Sequence, residues 1–131
     1  MNHRINKGLS TTVEKIITPA DTYVTNEVRL DYLLSTPALL ATMIEISWNL
    51  FKPLIPDDYI TVVASMEMDH SFPSLVGERV FIKLVVDDIV ENKIYINITG
   101  TDEVGVFCTG KMVKSIVKSN RLLEAAYKRI K

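Results

Sequence analysis

The chain has 131 residues, 47% of them hydrophobic and 24% charged, which is the balance of one ordinary globular domain spanning residues 1–131. Fifteen basic residues against sixteen acidic ones leave a net charge of -1, which argues against a polyanion such as nucleic acid as a partner. No apolar run approaches ~18 residues, so no membrane-spanning helix is expected.

The opening MNHRINKGLS carries charge but no apolar h-region, so it is not a secretory signal, and the chain is expected in the cytoplasm. Residues 1–8 are expected to be a loose terminus. Residues 9–18, LSTTVEKIIT, are β-rich and predict a strand, which Pro19-Ala20-Asp21 breaks. Residues 22–34 stay ambiguous, with short extended pieces around Val24 and Val28. Thr36 suits an N-cap and Pro37 the first helical position, so a helix should run from there to about Phe51. Leu39, Met43, Ile46 and Leu50 form one apolar row at helical spacing, and Leu40, Ile44 and Phe51 a second beside it. Thr42, Glu45 and Asn49 leave a narrow polar stripe, and a helix this apolar is largely buried.

The period then changes from helical to two. Ile60, Val62, Ala64, Met66, Met68, His70 and Phe72 alternate with polar or smaller residues and predict one apolar face of a long strand. Pro73 to Gly77 turns the chain, and Val80, Ile82, Leu84 and Val86 make the next face. Glu91-Asn92-Lys93 suits a hairpin before Ile94, Ile96 and Ile98. After a turn near Asp102 to Gly105, Val106, Cys108, Gly110, Met112 and Ile116 share a face, and residues 120–130 predict a short C-terminal helix. The fold class expected is α+β, an antiparallel sheet curled around one buried helix.

Few residues are placed to do chemistry. A lone Cys108 excludes an internal disulfide and a multi-cysteine zinc site, and two histidines, His3 and His70, cannot make a three-His site. No metal and no cofactor are therefore expected. His70 lies in phase with Met66 and Met68 and should face the helix, where desolvation favours the neutral imidazole that can act as a base. The alternative is a satisfied core histidine. N–H groups of the helix start, around Ala38 to Leu40, could hold developing negative charge, with the Thr36 hydroxyl holding a water or a substrate. Glu45 is a solvated or interface carboxylate unless its stripe lines a cleft. Asp69 points away from its neighbour His70. Cys108 and the Met66/Met68 pair read as core. Lys111, Lys114 and Lys118 suit either phosphate contacts or a solvated strand edge.

Four short segments, in this order, resemble the fluoroacetyl-CoA thioesterase-like branch of the hotdog-fold superfamily. They are Thr18-Pro19-Ala20-Asp21-Thr22 (T-x-x-D-T), Leu34-Ser35-Thr36-Pro37-Ala38-Leu39 (L-A-T-P-x-L), His70-Ser71-Phe72-Pro73-Ser74-Leu75-Val76-Gly77 (H-x-A-P-T-P-x-G) and Gly105-Val106-Phe107-Cys108-Thr109-Gly110 (G-x-I-G-x-G). The match covers about residues 12–117. It implies the hotdog fold and an acyl-CoA thioesterase, with coenzyme A arriving as part of the substrate. It also implies a homodimer, or a tetramer built from it, with sites at the subunit interface.

In that family a threonine at the helix start, a helix glutamate and a histidine on the next strand form the site. The threonine falls on Thr36 and the histidine on His70. The glutamate position, eight after the threonine, is Ile44, and Glu45 follows it. One residue turns a helix by about 100°, so Glu45 does not simply replace the missing acid. Ala38, Leu39, Ile44 and Gly77 are the expected substrate-binding positions. The family's late H-x-R appears as Met112-Val113-Lys114 and a glycine before it as Cys108, so specificity for a fluorinated acyl group is not implied. The other reading of the same fold is a non-catalytic acyl-CoA or small-ligand binding dimer, which Ile44 favours.

Overall fold

Val80, Ile82, Leu84 and Val86 on one strand and Ile94, Ile96 and Ile98 on the next are each at most 2% exposed. The period-2 pattern is therefore the buried face of a sheet. The computed structural model describes residues 2–130. Its elements are β1 (Ser10–Ile16), β2 (Tyr23–Val24), β3 (Arg29–Leu30), α1 (Thr36–Phe51), β4 (Tyr59–His70), β5 (Arg79–Val90), β6 (Lys93–Thr101), β7 (Val106–Lys118) and α2 (Ser119–Arg129). Five strands form one antiparallel sheet in the order β1-β5-β6-β7-β4, and β2 pairs with β3 as a separate ribbon. This is the α+β architecture expected, with β1 and β4 at the two edges.

The helix α1 packs on the buried face of the sheet. Leu39, Met43 and Phe51 are fully buried and join the core formed by the strand residues. Each such side chain contributes roughly 1.5–3 kcal/mol relative to an exposed one. The second apolar row does not hold together: Phe51 is buried, but Ile44 is 38% exposed. Pro37, Ala41 and Ile44 are exposed and Trp48 is half-buried. With their spacing of i, i+4, i+7 and i+11 they make a stripe along the helix flank. That flank is the β4–β7 side, because Trp48 and Ser47 both lie against Lys114 of β7.

Three strands depart from a plain alternation, β5 by a register shift between Val86 and Asp88 and β4 and β7 as follows. A register shift between Val63 and Ser65 places a bulge in β4. It reverses the phase, so Thr61 is buried at the start of the strand while Ala64 is exposed, and only Met66, Met68 and His70 keep the expected facing. Another shift, between Gly100 and Thr101, turns Val106 out and Phe107 in. Phe72, expected to share the β4 face, lies past the strand end and is 61% exposed.

The N-terminal residues are not loose over 2–8. Ile5 is 2% exposed in the core, the Arg4 N–H donates to the Leu54 carbonyl at 2.8 Å, and the Gly8 N–H donates to that of Val86 at 2.8 Å. One buried isoleucine and these backbone bonds hold the segment down, a contact that charge content does not reveal. Residue 1 lies outside the described residues. Helix α2 forms as expected, one residue earlier, with none of its residues buried.

Candidate functional site

The site begins with a cap. Ser35, not Thr36, is the N-cap of α1: its hydroxyl accepts the Ala38 N–H at 3.1 Å, and Thr36 is already helical. The consequence is chemical, because the Thr36 hydroxyl is released from capping. Backbone bonds fix where this helix start sits. The Ser35 N–H donates to the Asp21 carbonyl at 2.8 Å, and the Leu34 N–H to the Ser74 carbonyl at 2.9 Å. Asp21 is itself pinned by the Thr18 N–H at 2.8 Å and the Lys15 ammonium at 3.1 Å. Burial pushes the Asp21 carboxyl up, but Thr18 and Lys15 together outweigh it and hold the group below its ordinary value. The first three sequence motifs thus meet at one helix N-terminus.

His70 arrives from the other side, as the last residue of β4. The Ser71 and Phe72 N–H groups both donate to the Phe107 carbonyl, at 2.9 and 3.3 Å, which turns the chain directly after the histidine. The Phe107 ring meets the imidazole edge-on with centroids 6.1 Å apart. His70 Nδ1 lies 2.9 Å from Thr36 Oγ1. His70 Nε2 is shut off from solvent and has no hydrogen-bond partner among the described residues. Burial lowers the imidazole pKa below its ordinary value, so the ring is neutral at pH 7. A neutral imidazole within hydrogen-bond reach of a hydroxyl can accept its proton.

The pair opens into a cavity of about 530 Å³ whose walls include Tyr23, Leu30, Leu33, Leu34 and Phe72. The ribbon β2–β3 supplies Tyr23 and Leu30, which are register partners. The sequence left this segment ambiguous, because two-residue strands carry too little periodicity to read.

The other expected positions lie elsewhere. Leu39 is fully buried and presents no surface to a ligand. The Ala38 N–H is taken by Ser35 and the Leu39 N–H by the Ser35 carbonyl at 3.0 Å, while Pro37 has none. The N–H groups expected around Ala38 to Leu40 are thus not those that remain free. The Thr36 N–H is the helix-end donor without a partner among the described residues. Ile44 is on the exposed flank, and Gly77, at φ +96°, makes the turn into β5 with its N–H on the Ile17 carbonyl at 2.8 Å. Neither lines the His70 cavity. Glu45 shares a second cleft, of about 620 Å³, with Thr42, Asn49 and residues of β1. Within one chain it is on the opposite side of α1 from Ser47 and Thr36.

The three lysines separate. Lys118 lies 3.9 Å from Asp58 at the surface and Lys111 is exposed, but Lys114 is 1% exposed. Its ammonium donates to Ser47 Oγ at 2.9 Å and lies 5.9 Å from the Trp48 ring centre. Among the described residues no carboxylate pairs with it. Burial pushes its pKa down to about 8. Lys114 is therefore not a solvated edge residue. Its phase with Met112 and Ile116, which placed those two inside, was the signal for it.

Among the described residues no group of three or more His, Cys, Asp or Glu converges, and no helix is long and apolar enough to cross a membrane.

Comparison with known proteins supplies the family. A hot-dog-like protein from Thermanaerovibrio acidaminovorans is 24% identical with a TM-score of 0.86, over 95% of this chain and 93% of that one. A thioesterase superfamily member from Thermus thermophilus is 19% identical with a TM-score of 0.84, over 97% and 93%. A variant of the fluoroacetyl-CoA-specific thioesterase FlK, solved with fluoroacetate and CoA, is 11% identical with a TM-score of 0.83, over 90% and 99%. These identities speak to the fold alone, which is the hotdog. A search of curated proteins found no match. The profile of the family described as fluoroacetyl-CoA-specific thioesterase, FlK, matches residues 17–120, a span that holds α1, β4 and every other strand of the sheet except β1. By that match the chain belongs to the FlK thioesterase family, a family of acyl-CoA thioester hydrolases.

Proposed function

We propose that the chain hydrolyses an acyl-CoA thioester with Thr36 and His70 as its catalytic residues. The observation that carries this reading is the 2.9 Å approach of Thr36 Oγ1 to His70 Nδ1 inside a cavity. Neutral His70 takes the hydroxyl proton as Oγ1 adds to the thioester carbonyl. The oxyanion lies by the Thr36 N–H, at the positive end of α1. Collapse breaks the C–S bond, and His70 passes its proton to the departing sulfur, so that CoA leaves as the thiol and the ring is neutral again. Water, deprotonated by the same ring, then cleaves the acyl-threonine ester. The acid is released and the proton returns to Thr36. In the simpler variant Thr36 only holds the water that His70 activates. Neither route needs a metal or a cofactor beyond the CoA of the substrate, and the setting is the cytoplasm, where acyl-CoA is made.

The same reading takes a homodimer as the active unit. Its supports are the unpaired outer edge of β4 and the stripe Pro37, Ala41, Ile44 and Trp48 on the helix flank beside it. Joining two copies at β4 would pair that edge and cover that stripe together. Glu45 then assists only if the partner copy brings it to the Thr36 end. Light scattering distinguishes monomer, dimer and tetramer.

A second reading, acyl-CoA binding without turnover, is favoured by Ile44, which puts an alkyl group where the family carries its helix glutamate. Thiol release from short, branched and aromatic acyl-CoAs, measured for the wild type and His70→Ala, separates the two. The thioesterase reading expects turnover that falls about 10²–10⁴-fold in the variant. Binding of every ester with no thiol released by the wild type would leave the binding protein.

A further inference from the structure

The cavity at the Thr36–His70 pair also constrains what it admits. Within one chain it is an open-mouthed groove of about 530 Å³, and among the described residues no Asp, Glu, Lys or Arg side chain lines it. Its walls away from the pair are apolar. Tyr23 and Leu30 stand opposite each other on the ribbon, Leu33 and Leu34 follow it, and Phe72 closes the side beyond β4. Tyr23, Leu30 and Phe72 are 42, 47 and 61% exposed, so the apolar surface of the mouth is not spent on the chain's own core.

Two properties of an acyl group follow. A carboxylated group, such as succinyl or malonyl, would bring its charge out of water to a wall with no cation to meet it. A two-carbon group would leave most of the wall uncovered. Taking roughly the 30 Å³ of a water molecule for each heavy atom, an acetyl or fluoroacetyl unit fills only about a fifth of the space, whereas a chain of about six to eight carbons fills roughly half. The remainder suits the thioester and the end of the pantetheine arm. We infer that the acyl group is uncharged, apolar and of medium size, a straight chain of about six to eight carbons or an aryl-acetyl group, and that Leu30 and Tyr23 of the β2–β3 ribbon set its size. The inference rests on the thioesterase reading of this same cavity and names its substrate class.

The test is a comparison of hexanoyl-, octanoyl- and phenylacetyl-CoA with acetyl- and succinyl-CoA, in kcat/KM, for the wild type and Leu30→Trp. Leu30 is on the exposed ribbon, so the substitution does not disturb the core. The wild type should favour the medium esters over acetyl-CoA by about tenfold or more, since one methylene in an apolar pocket is worth about 10–200-fold in discrimination. Succinyl-CoA should be the poorest. Leu30→Trp should shrink the preference for octanoyl- over acetyl-CoA at least about fivefold while acetyl-CoA turnover persists. Fastest hydrolysis of acetyl- or succinyl-CoA overturns the substrate class and leaves the thioesterase standing. If no ester is hydrolysed the thioesterase reading fails, and calorimetric titration of the same esters still decides the class: hexanoyl-CoA binding no tighter than acetyl- or succinyl-CoA overturns it, and tighter binding sustains it.

Discussion

Thr36 Oγ1 and His70 Nδ1, 34 positions apart in the chain, lie 2.9 Å apart in the fold. Ser35 makes this contact chemically useful, because it takes over the helix cap and leaves the Thr36 hydroxyl to the histidine. Thr36→Ser keeps the hydroxyl and Thr36→Ala removes it. The serine variant should retain turnover within about tenfold, and the alanine variant should lose about 10²-fold or more in kcat. Mass spectrometry of the enzyme mixed with substrate separates the two routes: an acyl adduct on residue 36 supports attack by Oγ1, and its absence at full turnover supports a held water.

The His70 imidazole carries a pKa below its ordinary 6.5 because burial disfavours the cation. The neutral base is therefore present at pH 7 and persists on acidification past the point where a free histidine would be half protonated. Below that, kcat/KM should fall in proportion to the neutral fraction. The profile should be level at alkaline pH and fall on the acid side, with its midpoint under 6.5. A midpoint at or above 6.5 would show that His70 is not the titrating base.

Lys114 ties stability to pH at the alkaline end. Its pKa is about 8 in the folded chain against an ordinary 10.5, so between those values the unfolded chain binds the extra proton. Stability therefore rises with pH through that window and is flat with respect to this group below it. Lys114→Met replaces the amine with an apolar chain of similar reach. It should be neutral or stabilising by about 1–3 kcal/mol at pH 7 and should abolish the slope. Urea midpoints at pH 7 and pH 10 check both, and a variant that is less stable than the wild type while keeping the slope would contradict the account.

Ser35→Ala removes the side chain that caps α1 and leaves the Ala38 N–H without that acceptor. The expected loss is about 1 kcal/mol of stability, seen as a lower urea midpoint with an unchanged m-value. Activity should fall further than stability does, because the freed helix end competes for the Thr36 hydroxyl. Wild-type kcat in a stably folded Ser35→Ala would place the cap outside the chemistry.

Much of this was legible in the sequence because the governing interactions are local or periodic. The helix over Thr36–Phe51, the buried rows of β5 and β6 and the inward facing of His70 follow from periods of 3.6 and 2.0 that a side chain obeys wherever its element ends up. The pairing of Thr36 with His70 came from the resemblance, not from any period. Tertiary structure decided what depends on neighbours distant in sequence. The bulges in β4 and β7 arise from strand register and reverse the facing of Thr61 and Phe107. Ile5 is held by core contacts rather than by its own segment, and Lys114 is held inside with Ser47 of α1 accepting its hydrogen bond. The choice of Ser35 over Thr36 as the cap was also settled there. Both hydroxyls suit the role, and only the backbone bonds to Asp21 and Ser74 fix where the helix starts.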